Sequence, residues 1–232
     1  MSPAIEFYSA TPERWPDLER LFAAAIPNAA GNPGGCWCME WRLPREQWRA
    51  QVGAANRLAL QALVETGSVP GILAYRGTEA VGWCAVGPRA ELVGLREAGH
   101  FAAFEAPGVW SIVCLYIAPD LRGQGLMDRL LAAAVEHALQ AGASSIEAYP
   151  VDPSAPDARE RTGFMGSISA FRRAGFVEIA AGGDGLAMTG YTEGNRTMRY
   201  VADRREADQP GRSTGRSPRT AGSDGCEAED SI

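Results

Sequence analysis

No apolar run in this 232-residue chain approaches the roughly 20 residues that a helix needs to cross a bilayer. Residues 1 to 20 also lack the basic start and apolar centre of a secretory signal peptide. Both absences give the expectation of a cytoplasmic protein with no membrane partner. An excess of positive charge is missing too: 22 Lys and Arg stand against 28 Asp and Glu, for a net charge of -6. That balance argues against broad nucleic-acid binding, which depends on phosphate neutralisation, and suits a cationic amine. The five cysteines lack a zinc pattern, because Cys36 and Cys38 have no second ligand pair and are too close for an ordinary disulfide. Cys84 and Cys114 fall in apolar stretches, so no metal is expected and a reducing compartment is. Of the two histidines, His137 lies deep in a helical pattern and His100 in a polar stretch, and neither is placed as a base.

What the chain does hold is enough apolar material, 46% of its residues, for one substantial core. Residues 4 to 10 alternate as a strand, and Thr11 with Pro12 opens a helix that buries Trp15, Leu18, Leu21 and Phe22. Residues 43 to 67 read as two helices broken near Gly53, and strands follow at 71–76, 80–87 and 109–117. The helix after residue 125 buries Met127, Leu130, Leu131, Ala134, Val135 and Ala138 on one stripe and stops at Gly142. A strand over SSIEAYPV comes next, then a Pro- and Asp-rich connection at 151–166 with the composition of a lid. Segments 175–181 and 196–202 are expected to pair as a hairpin. Asp203 begins a stretch with almost nothing able to fill a core, so the expected organisation is one domain over 1–202 and a disordered polar tail over 203–232.

The most informative segment is WSIVCLYIAPDLRGQGLMDRLLAAAVEHALQAG, residues 110–142, where an apolar strand runs through a Gly-rich turn into a long amphipathic helix. At such a helix start the first N–H groups have no intrahelical partner and the macrodipole is positive, so the main chain can hold a phosphate. Gly123 and Gly125 let the backbone curl close to a ligand, and Arg122 adds charge. A dinucleotide fingerprint is excluded because its third glycine position is Asp128, and a P-loop because no Gly-Lys-Ser/Thr follows.

The turn instead resembles the acetyl-CoA loop of the GNAT superfamily of N-acetyltransferases, [RQ]-x-x-G-x-[GA], matched by Arg122, Gly123, Gln124, Gly125 and Leu126 and departing at Met127. FRRAGFVEIA at 171–180 is similar to the superfamily's closing helix and strand, and GILAYRGTEAVGWCAV at 71–86 to its central hairpin. The resemblance covers about residues 3 to 202. It implies a mixed α/β fold, a twisted mixed sheet flanked by helices, with acetyl-CoA as cosubstrate at the splay between the central strands. It also implies that the backbone of Leu115, Tyr116 and Ile117 pairs with the pantetheine arm, with one N–H facing the thioester oxygen.

The superfamily's usual base and acid positions fall on Ser111 and Phe171, which serve neither role well. The replacements lie on the next strand, where Glu147 and Tyr149 share parity and therefore a face, as candidate base and acid. The acceptor pocket is expected from CWCMEWR and the hairpin: Trp37, Trp41, Trp83 and Trp110 as aromatic walls and Glu40 as counter-charge. Arg42 pairs either a substrate carboxylate or Glu40. The implied activity is acetyl transfer by direct attack to a primary amine, that of a small molecule. A protein-lysine or N-terminal acetyltransferase and a non-catalytic acyl-CoA-binding module are the alternatives, and homodimerisation is left open.

Overall fold

The structure, a computed structural model, describes residues 4–25, 35–51, 53–97, 107–151, 164–179 and 197–201. The expected tail, the greater part of the connection after Val151 and His100 lie outside these residues. Seven strands form one sheet: β1 (Ile5–Ser9), β2 (Gly71–Arg76), β3 (Glu79–Pro88), β4 (Val109–Ile117), β5 (Ser145–Ala148), β6 (Val177–Glu178) and β7 (Met198–Val201), in the order β1-β2-β3-β4-β5-β7-β6. Only β4 and β5 run parallel; every other pair is antiparallel. The helix that makes this crossover follows the Gly turn, as a parallel connection requires.

Side-chain alternation divides the core in two. Leu73, Tyr75, Trp83, Ala85, Tyr116 and Tyr149 face α1 (Trp15–Ala25), the Cys36–Leu43 turns, α2 (Arg45–Ala50), α3 (Ala54–Glu65) and α4 (Val93–Glu97). Ile72, Ala74, Cys84, Leu115, Ile117, Ile146 and Ala148 face α5 (Leu126–Gln140) and α6 (Ile168–Arg173). Within α5 the expected stripe is buried, except that Met127 is only part-buried while Leu126 points into the core. The start of α1 also differs: Pro12–Arg14 form a 3-10 turn, and the Thr11 hydroxyl accepts from the Arg14 side chain at 3.2 Å instead of capping a backbone N–H.

Two irregularities shape the centre of the sheet. The β3–β4 register shifts between Ala85 and Val86, leaving Val113 as an extra residue on β4. Cys114 therefore packs against the same core layer as Val113, so the alternation expected for an unbroken strand fails there. The β4–β5 ladder, moreover, ends at the Ile112–Ala148 pair, whereas β4 continues to Ile117 paired with β3 alone.

Candidate active site

That early end of the ladder opens a V between β4 and β5. From Val113 to Ile117 the β5-facing edge of β4 has no strand partner among the described residues, although the flanking side chains Leu115, Tyr116 and Ile117 are buried. Buried backbone N–H and C=O groups are almost always paired, so an edge left open here is a place for an extended ligand to lie as a further strand.

At the wide end of the V stands the Gly turn. Gly123 and Gly125 have φ of +74° and +77°, the left-handed region in which a Cβ is unfavourable, and a Cβ built on either would meet nothing within 4 Å. Gly125 is the N-cap of α5, so the first N–H groups of that helix lack intrahelical partners just beyond the turn. Arg122 is exposed, and its Nε donates to the Ile117 carbonyl at 3.0 Å, fastening the turn to the end of β4. Gln124 is likewise exposed and donates to the Asp120 carbonyl at 2.6 Å. These residues fit a CoA pyrophosphate above the strand edge that would take its arm.

At the narrow end lies a buried polar cluster. Glu147, 0% exposed, accepts from Arg89 Nη1 at 3.0 Å, from the Tyr149 hydroxyl at 2.9 Å and from Arg199 Nη2. Tyr149 is the first residue beyond the ladder, and its hydroxyl is 2.9 Å from Ser111 Oγ on the facing strand. Glu147 and Tyr149 thus share a face as the strand parity requires. Their arginines were not evident from sequence; the one local sign was Arg199, alternating with Met198 and Tyr200 on β7, in register with Glu147. Burial, with the charge of Glu147 behind it, pushes the Tyr149 hydroxyl far above the usual phenol range. Phe171, at the superfamily's acid position, is fully buried, with its ring 5.2 Å from that of Phe176.

The structure brings only some of the expected acceptor residues together. Trp37 packs on Trp15 and Phe22, and Trp83, 0% exposed, packs edge-on to Phe22 while its Nε1 donates to Cys38 Sγ at 3.1 Å. Trp41 is buried in the same layer. Trp110 is not part of that wall: it lies on the opposite face, 5.8 Å from the His137 ring of α5. Trp37 and Cys38 both have positive φ, 48° and 52°, a conformation that disfavours non-glycine residues by about 1–2 kcal/mol each. The Cys36 and Cys114 thiols adjoin Cys38, and all four described cysteines are free. Glu40 is part-buried, which raises its carboxyl to about 7 against the pull of Arg45. Arg42 does not ion-pair with it.

A family model described as the acetyltransferase (GNAT) family matches residues 15–164. No curated protein sequence matches the chain. Among solved structures, a mosquito arylalkylamine N-acetyltransferase like 5b is similar at 12% identity and a TM-score of 0.51, over 86% of this chain and 100% of that one. A Drosophila melanogaster polyamine N-acetyltransferase is similar at 14% identity and a TM-score of 0.48, over 86% and 100%. A ribosomal-protein-alanine N-acetyltransferase from Brucella melitensis is similar at 20% and 0.47, over 85% and 99%. At these identities the likeness to the mosquito protein concerns the fold. The chain belongs to the GNAT acetyltransferases, which are acyltransferases that use acetyl-CoA.

Proposed function

We propose that the protein transfers the acetyl group of acetyl-CoA to the primary amine of a small molecule by direct attack. The observation that carries this reading is the V between β4 and β5, open at the Gly turn and closed by the Ser111–Tyr149 contact. Acetyl-CoA supplies an acetyl group activated as a thioester. The exposed Gly123–Gly125 turn and Arg122 hold its pyrophosphate, with Leu126 and Met127 starting the helix whose free N–H groups face it. Tyr116 and Ile117 present main chain to the arm, and the Leu115 N–H polarises the carbonyl. The neutral amine nitrogen bonds to the carbonyl carbon as the carbon–sulfur bond breaks, after which the nitrogen gives a proton to solvent water and the sulfur gains one.

Tyr149 is the proton donor in this reading. Burial, which raises its pKa, favours the protonated hydroxyl, and it sits where the two strands part. Glu147 acts through it: every oxygen of Glu147 is engaged by Arg89, Arg199 or Tyr149, which makes it a positioning residue for the phenol. Glu40 is the counter-charge for an acceptor ammonium, beside the layer formed by Trp37, Trp41 and Trp83. The test is to incubate the protein with acetyl-CoA and a panel of amines, including a lysine peptide, and to follow thiol release. Release dependent on a small amine supports the reading. Release only with the peptide reassigns the acceptor, and none with any amine, despite acetyl-CoA binding, identifies a binding module.

A further inference from the structure

Arg42 is 8% exposed, yet among the described residues its guanidinium makes a single hydrogen bond, from Nη2 to the Pro70 carbonyl at 3.0 Å. Its Nε is buried without a partner, and no ion pair joins it to a described carboxylate. A guanidinium carries five N–H donors and stays charged, so burying one without an anion is costly. Burial draws Arg42 below the ordinary arginine range, opposed only by the more distant influence of Cys38 and Glu91. Arg89 and Arg199, in the same layer, show the usual remedy, since both share Glu147.

The position of this charge is informative. The guanidinium lies over Gly87 of β3, where a Cβ would stand 3.3 Å from Nη2. Gly87 pairs with Ser111, and Ser111 with Glu147, so Arg42 ends a polar row that crosses the sheet at the closed end of the V. The CoA phosphates cannot be its anion, because the Gly turn is fastened at Ile117, six residues or roughly 20 Å along β4 from Ser111. Leu115, by contrast, pairs with Cys84, three residues or roughly 10 Å from Gly87 along β3. A small amino acid, with its amine toward the acetyl carbonyl held at Leu115 and its carboxylate on Arg42, is of the size to lie between the two.

We infer that Arg42 is an acceptor-recognition residue that binds a carboxylate, making the substrate class a small amino acid in place of a simple alkylamine. This rests on the acetyl transfer proposed above. The test is a panel of free L-amino acids, each beside its C-terminal amide, with kcat/KM measured for wild type and for Arg42→Gln. At least one acid is expected to exceed its amide by about tenfold or more, with that ratio falling toward one in the variant. Calorimetry of the preferred acid in the presence of CoA should show the same loss of affinity. If Arg42→Gln does not fold, Gly87→Ala, which presses a methyl against Nη2, should lower the ratio in the same direction. Amides used as well as acids, or a preference that survives in the variant, overturns the inference while leaving acetyl transfer intact. Carboxylate binding lost in Arg42→Gln without turnover of any amine upholds the anion site and refutes the transfer. No turnover and no Arg42-dependent binding overturns both.

Discussion

The Tyr149 hydroxyl stands 2.9 Å from Ser111 Oγ, one residue beyond the last β4–β5 pair that the register on Ile112 and Ala148 allows. It closes the V at the point where the strands separate. If this phenol protonates the leaving sulfur, Tyr149→Phe should lower turnover by roughly a hundredfold while acetyl-CoA affinity stays constant, general acid catalysis being worth on the order of 10² to 10⁴. Single-turnover rates and a CoA titration separate the two effects. Turnover within a few-fold of wild type would assign the proton transfers to water.

Glu147, itself closed to solvent, balances two guanidinium groups. Replacing it by Gln takes a charged partner from each arginine, and removing one partner of a buried pair typically costs about 3–5 kcal/mol. Urea unfolding of Glu147→Gln should show a loss of that order. The pH profile of the remaining activity should change less than its magnitude, because Glu147 acts by holding Tyr149.

At Gly125 the left-handed φ of +77° and the open volume above it make different demands on a substitution. Gly125→Val should weaken acetyl-CoA binding at least tenfold, about 1.4 kcal/mol, by placing a branched side chain where the pyrophosphate is to lie. Calorimetry on variant protein with an unchanged circular dichroism spectrum reads this directly. Undiminished affinity would remove the turn from the site.

Glu40 titrates at about 7 against an ordinary value of 4.5, raised first by burial. The folded state therefore holds its proton more tightly than the unfolded chain. The stability this contributes is full below about 4.5 and lost as pH rises through about 7, at most roughly 3 kcal/mol. Glu40→Gln should match wild type in melting temperature near pH 5 and exceed it above pH 8. Acceptor affinity in the wild type should rise over the same interval, as the carboxylate forms to face an ammonium, and should lose that rise in the variant.

The sequence by itself determined the features that depend on neighbours along the chain. The 3.6-residue stripe of α5, the two glycines ahead of it and the alternation of β2 and β5 are local facts, so the Gly turn, the helix and the shared face of Glu147 and Tyr149 were legible without coordinates. Only the tertiary structure decided what those side chains meet. Arg89 and Arg199 reach Glu147 from 58 and 52 residues away, and the same topology gives Arg42 no ion pair with a described carboxylate. Trp110 alternates like a pocket residue, yet the sheet turns it toward α5, and the extra residue at Val113 moves Cys114 to the layer of Cys38. A strand's parity fixes that successive side chains point to opposite faces. Which face holds the acceptor, and which charges gather there, follows from the order in which distant strands and helices pack.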